Sequence, residues 1–471
     1  MTASPLRLIR RLPSFVLAGL LAVIAACGGG GGMQLAGGVG SGGTGLAEGI
    51  ITGFGSVIIE GVRYDDSKAS TVQDTEGGRE LAEARLGQRA RVLLDESGLA
   101  TRIQLLPQLR AVVEQVYGDG AEFSILGQRV RIVIAGTANL MPTQWSQGYS
   151  RVSAGDPIEV HGSWTRDLMG NSVLIASRID RLDAAPSVVL LTAPVRERQA
   201  DRLVLDDTTG TLIRADGVPI SLKAGSLLSV WISRDALSQP QPWPILRGRD
   251  ASALGLDDDD ETPSFIEVYA LSDGNAQTLR LQGVPIAERP HADTPGAGSP
   301  TKLRLVRRDG GWVPESVTSL VGGPARQRIE LKGALVWNPS GTLFSLRGQS
   351  IRYSNAVLDN NCRNLPSGTE VFVEVEAYAG GPGEPLEATE IECSITLPER
   401  PLREAQATLV RITPDTVTVR LPDGSTMDLQ RAFNSLIPRA SESLIGRRVE
   451  FEYLQQAGTQ AVLRKLKEVR E

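Results

Sequence analysis

The sequence predicts an all-β chain assembled from serial small domains, and three observations carry that prediction. Turn-forming residues are frequent, with 51 Gly and 27 Pro in 471 residues. Between them lie many short Val-, Ile- and Leu-rich runs that alternate with period two, and no long segment keeps a clean 3.6-residue period. A strand–turn–strand pattern also recurs: FSILGQRVR at 123–131 returns as FSLRGQSIR at 344–352. The chain is longer than one hydrophobic core usually organises, so several domains are expected.

The first element is a leader. Arg7, Arg10 and Arg11 precede an apolar stretch from Phe15 to Ala26, and small residues stand just before Cys27. This is a secretory signal peptide, residues 1–26, ending in a lipobox. Twelve apolar residues are too few to span about 30 Å of hydrocarbon, which takes roughly 20. Cleavage would leave Cys27 as the mature N-terminus, carrying a thioether-linked diacylglycerol and an amide-linked acyl chain such as palmitate. One acyl chain holds a protein only marginally to a membrane, whereas two or more hold it stably. Gly28 supplies none of the inner-membrane retention signal that an Asp would, so the expected address is the outer membrane, facing the periplasm. Residues 27–46, opening with Gly28 to Gly32, form a Gly-rich flexible tether.

Six β units are expected after the tether: 47–106, 109–183, 188–253, 264–321, 327–395 and 403–470. A second pattern supports the division. A Gly leads into an alternating strand, a loop and a final strand at 87–106, 155–180, 368–395 and 446–469, with a looser copy at 301–320. The third unit is degenerate. It keeps strand candidates at 188–196 and 226–237 and then enters a Pro-rich, acidic stretch that runs to residue 263. Five short strands with a longer excursion after the third predict a small, partly open barrel of OB type, with small β-sandwiches as the alternative.

The N-terminal unit carries a family resemblance. GGVGSGGTG at 37–45 followed by GIITGFGSVIIEGVRYDD at 49–66 resembles a family of uncharacterised bacterial lipoproteins built from tandem OB-like repeats of a domain of unknown function. The resemblance implies an architecture and an envelope address, with no activity, ligand or catalytic residue to carry over. Where family members commonly have Asn before the Gly-Val, this chain has Glu60.

Charge and chemistry-bearing residues narrow the function. Removing the three leader arginines leaves 46 basic against 55 acidic residues, a mature net charge of −9. Such a surface repels phosphate backbones on average, and aromatics are only 4% of residues, so nucleic acid is disfavoured as a partner. Once Cys27 is lipidated, Cys362 and Cys393 remain in one unit. An oxidising periplasm favours their disulfide over free thiols or a metal pair. His161, in an alternating strand, is expected to be a structural or surface residue, and His291 lies in a Pro/Gly-rich loop. The acidic run Asp257, Asp258, Asp259, Asp260 and Glu261 offers oxygens for Ca²⁺ but lacks EF-hand spacing, and reads as a solvated loop. No Gly-x-Ser-x-Gly elbow, Walker loop or HExxH occurs.

The expectation is a non-enzymatic, membrane-anchored envelope lipoprotein without a cofactor. Its serial units would form an extended arm that binds or spaces a protein or glycan partner. The alternatives are single-stranded nucleic-acid or oligosaccharide binding by the OB-like units, or a metal-dependent hydrolase.

Overall fold

The structure, a computed structural model, describes residues 44–134, 140–146, 148–219, 221–256, 262–274, 280–286, 295–320, 328–381, 383–394, 403–413, 415–421, 425–436, 441–454 and 461–468. Its first strand group comprises β1 (Gly45–Phe54), β2 (Val57–Ile59), β3 (Val62–Tyr64), β4 (Ser70–Thr75), β5 (Gly78–Leu81), β6 (Arg89–Leu94) and β7 (Ala100–Leu105). β1 pairs with β2 and β6, β2 with β3, β4 in parallel with β7, and β7 with β6. Counting β3 and β4 as one interrupted strand, the spatial order is 1-2-3-5-4 and back to 1. That is the OB circuit, with β5 as an added hairpin arm.

The circuit repeats in the second group: β8 (Leu109–Val112), β9 (Gln115–Tyr117), β10 (Glu122–Ile125), β11 (Gln128–Ile132), β12 (Gln144–Trp145), β13 (Pro157–Arg166) and β14 (Ser172–Arg181). Here the first strand is broken into β8 and β9, because it must bend to pair with β13 on one side and β10 on the other. The third group has β15 (Val188–Arg198), β16 (Arg202–Leu205), β17 (Leu212–Arg214), β18 (Leu227–Ser233) and β19 (Arg247–Asp250). Its strand expected over 226–237 stops at Ser233, and Arg234–Ser238 winds into a 3-10 turn instead.

The fourth group has β20 (Phe265–Leu271), β21 (Arg280–Leu281), β22 (Val284–Pro285), β23 (Pro300–Arg308) and β24 (Gly311–Ser319). The fifth has β25 (Arg328–Val336), β26 (Leu343–Leu346), β27 (Gln349–Arg352), β28 (Val357–Leu358), a short helix α1 (Asn360–Asn364), β29 (Glu370–Tyr378) and β30 (Leu386–Ser394). The sixth closes fully: β31 (Arg403–Ile412), β32 (Thr416–Arg420), β33 (Thr426–Leu436), β34 (Arg448–Leu454) and β35 (Val462–Glu468) form a barrel in the order β31-β32-β33-β35-β34. The fold class is all-β with OB-like units.

The recurring sequence pattern has a conformational cause. Four hairpins between the second and third strands turn on two residues, both at positive φ: Glu60-Gly61, Leu126-Gly127, Gln282-Gly283 and Arg347-Gly348. Such a type I′ turn matches the right-handed twist of the flanking strands. Gly adopts the second position without steric cost, and Asn or Asp tolerates the first better than Glu does.

The units are not strung out as the extended arm expected from the sequence. In a small OB barrel the first half of strand 1 pairs with strand 4 and the second half with strand 2. The first half therefore keeps an open edge. β1 and β20 join these edges in parallel, over Gly45–Glu48 and Phe265–Val268, so the first and fourth units share a ten-stranded sheet. β8 and β15 join theirs at Leu109/Leu191 and Arg110/Leu190, so the second and third units share a twelve-stranded sheet. One apolar core runs through the first and fifth units, including Ile51, Phe54, Ile329 and Leu331, and another through the second and third. Burying strand edges and apolar faces against neighbours folds the array back on itself.

Candidate functional site: a buried polar network and two clefts

Glu48 of β1 lies opposite Arg91 of β6, and all of Glu48, Arg89 and Arg91 are buried. Arg89 donates to Glu48 Oε1 from Nε and Nη2 (3.1 and 2.8 Å), and Arg91 to Oε2 from Nε and Nη2 (3.2 and 3.0 Å). Burial alone would push the Glu48 carboxyl up, but the two guanidiniums outweigh it and hold it below its ordinary value. The spare donors reach other units. Arg89 Nη1 donates to Ser163 Oγ at 3.1 Å, and Arg91 donates to the carbonyls of Gly255 and Ser252 at 2.8 and 2.9 Å. One ion cluster thus ties the first unit to the second and to the chain that leads into the fourth.

β13 turns buried Glu159, His161 and Ser163 toward the first unit, and buried Thr165 toward the fourth, where it donates to the Ser272 carbonyl at 2.7 Å. The Arg89 backbone N–H donates to His161 Nδ1 at 3.3 Å, which places the ring proton on Nε2, 3.2 Å from Glu159 Oε1. Glu159 also accepts from Gln73 at 3.0 Å. Arg178 grips Asp180 with two bonds of 2.7 Å and donates its third to the Leu86 carbonyl at 2.9 Å. For Asp180, burial is again outweighed by Arg178, and its carboxyl is held low. Glu159, His161 and Asp180 lie within metal-chelating reach of one another. Their lone pairs and protons, however, are committed to Gln73, the Arg89 amide and Arg178, so this cluster works as a joint rather than a metal centre.

The turns between strands 2 and 3 are joints as well. Gln128, beside the Leu126-Gly127 turn, donates to Asp207 of the third unit at 2.7 Å. Gln282 donates to Gln108 at 3.3 Å, and a side chain at Gly283 would meet the Leu227 backbone nitrogen at 2.7 Å. Arg63 of β3 pairs with Glu330 of β25 at 2.6 Å, and Arg347 lies over the Phe54 ring at 4.8 Å. Surfaces that OB folds commonly use for ligands are here engaged by neighbouring units.

Two small clefts lie at the joints. The first lies among the first, second and fourth units and is lined by Thr52, Glu60, Met141, Ser163, Tyr269 and Thr301, among others. Burial pushes the Glu60 carboxyl up to about 7, only partly opposed by Arg89 and the Ile50 backbone. The second cleft lies between the second and fifth units, with Trp145 and Ser146 on one wall and Gln349, Ser350 and Gly381 on the other.

Cys362 and Cys393 form a disulfide, with Cα atoms 5.0 Å apart, linking α1 to β30. Asp359 caps α1 by accepting from the Cys362 N–H at 2.7 Å, and Trp337 Nε1 donates to the Cys362 carbonyl at 3.0 Å. His161 is wholly buried, which removes the surface half of its expected role and leaves the structural half. Cys27, His291 and the acidic run Asp257, Asp258, Asp259 and Asp260 lie outside the described residues. Sequence reasoning passed over Glu48, Arg89 and Arg91. Among the described residues no helix is long and apolar enough to cross a membrane.

No family model matches the chain, and no curated protein matches it. Among solved structures, drosophila Unr CSD456, a cold-shock-domain protein, is similar at 11% identity. The match covers 60% of this chain and 97% of that one with a TM-score of 0.20. The class rests on strand order instead: a multi-unit all-β protein of OB topology, welded by shared sheets and buried ion pairs.

Proposed function

We propose that this protein is a non-enzymatic scaffold of the bacterial envelope, held to the membrane through a lipidated Cys27, whose OB-like units present a rigid binding surface. The observation that carries the reading is where the reactive side chains go. Glu48, Arg89, Arg91, His161, Arg178 and Asp180 are buried and partnered, and the clusters they form hold one unit to another. An array built this way supports several weak contacts at fixed spacing, which add through effective concentration. The leader and the tether composition support the envelope address.

The test combines Cys27→Ser with crosslinking in cells. The parent should sediment with membranes and capture a defined envelope neighbour, and the Ser variant should move to the soluble fraction and lose that neighbour. A Ser variant that stays membrane-bound without acylation would sink the anchoring. Absence of any captured neighbour would sink the scaffold role. Nucleic acid is disfavoured on the net charge and on the covered turns of the second and fourth units.

A further inference from the structure

The cleft among the first, second and fourth units sets a single acid within apolar walls. Ile50, Met141, Ile175, Leu271 and Leu320 line it, and Glu60 of the β2–β3 turn is the one charged residue of its described lining. Glu60 is half-buried and has no ion-pair partner among the described residues, and the Ile50 backbone N–H is the donor beside it. Charges on the surrounding strands are committed elsewhere. Arg89 is bound to Glu48, Arg178 to Asp180, Lys302 and Tyr269 to Glu267, and His161 to Glu159 and the Arg89 amide. Of these, Arg89 is the one whose charge reaches Glu60. Charges withdrawn from water are ordinarily paired, so a lone carboxylate in an apolar cleft calls for a cation.

Size and lining select the cation. The cleft holds about 60 Å³, and one water needs roughly 10–15 Å³ on this measure, so it takes about four to six small groups. A calcium or magnesium ion demands several oxygen ligands at short range, and one carboxylate does not supply them. A primary ammonium has three donors and is content with one carboxylate and neutral acceptors. Thr52, Ser163 and Thr301 bring hydroxyl oxygens to the same cleft. Thr301 gives its proton to the Ser299 carbonyl at 3.0 Å, and Ser163 Oγ takes one bond from Arg89 at 3.1 Å, so both oxygens keep a lone pair. Apolar walls suit a methylene stem that carries its charge at one end.

We propose that this cleft binds a primary ammonium on a stem of about four carbons, with the nitrogen at Glu60 and the stem against Met141 and Leu271. A lysine side chain of a partner and a free alkylamine share that chemistry. The inference goes beyond the scaffold reading and is tested on the purified chain, with no captured neighbour needed.

The full lipidated protein in dodecyl maltoside is titrated by calorimetry with butylamine, with Nα-acetyl-lysine methylamide and with 1-butanol. Butylamine should bind saturably, and butanol should not. Binding of the lysine derivative as well assigns the site to a partner's lysine, whereas butylamine alone assigns it to a free amine. The ammonium selects the ionised carboxyl, and the free protein holds that carboxyl's pKa at about 7. Amines stay charged throughout, so affinity should rise about tenfold from pH 6 to pH 8, and binding at pH 6 should release about one proton, read as a buffer-dependent heat. Glu60→Gln should weaken binding about tenfold at pH 8 and remove the pH dependence. The pH slope and the proton release are read on the parent, so they decide the matter even where the variant folds poorly. No saturable heat from either amine at about 20 mM and pH 8, equal affinity at both pH values, or butanol binding as tightly as butylamine each overturn the site. Unchanged affinity in a folded Glu60→Gln variant overturns it too.

Discussion

Glu60 gives the most direct test of the joints. It holds the first position of a type I′ turn at φ 47, and its carboxyl lines the cleft among the first, second and fourth units. Its pKa is raised from the ordinary 4.5 to about 7 by burial. The folded state therefore holds this proton more tightly than the unfolded state does. The stabilising contribution is full below about pH 4.5 and is lost as pH rises through about 7. At about 1.4 kcal/mol per pKa unit the ceiling is on the order of 3 kcal/mol, and remaining solvent contact brings it to about 2 kcal/mol. Glu60→Gln removes the titration, so thermal scans at pH 5 and pH 8 should show a smaller pH loss than in the parent. Taking the difference between variants cancels the protein's other titrating groups. Glu60→Asn should do the same and add about 0.5–1 kcal/mol, because Asn occupies positive φ more readily. If parent and Glu60→Gln lose equal stability between the two pH values, the carboxyl is solvated and the argument fails.

Three further perturbations bear on the same architecture. Arg89→Leu leaves Glu48 half-paired in a dry joint and should cost about 3–5 kcal/mol, read as a lowered first transition and faster proteolysis between the first two units. Gly162→Ala places a methyl 2.2 Å from the Ile175 carbonyl oxygen, in backbone that cannot yield cheaply, and should destabilise the second unit by more than about 2 kcal/mol in urea titration. Replacing Cys362 and Cys393 with Ser opens a loop of sequence separation 31 and should lower fifth-unit stability by about 3–4 kcal/mol, against no change on adding reductant to the double variant.

Much of the fold was legible because its signals are local. The FSILGQ and FSLRGQ strings are hairpins β10–β11 and β26–β27, with Gly127 and Gly348 where the twist needs positive φ. The joints were not legible. On β6, Arg89 and Arg91 alternate with Ala90 and Val92, and on β13 Glu159 and His161 alternate with Ile158 and Val160. Alternation of this kind usually marks a solvent face. Here the polar face is covered by another unit, so the same pattern yields a buried ion network. Nothing near Glu48 in the sequence announces the strand that lies beside it. The Trp145–Gln349 cleft was equally silent, since its walls come from units whose contact has no local signature.

The parallel pairing of β1 with β20 also bears on how the chain matures. Ser264 and Thr44, side by side in the folded protein, are 220 residues apart along the polypeptide. A chain synthesised from its N-terminus delivers the first strand long before the one that completes its sheet. During that interval the opening strand exposes a row of unsatisfied amides, to which a stray β partner could add. Under the proposed envelope address, export speed and periplasmic chaperones would bear on yield in a way that no isolated unit would reveal.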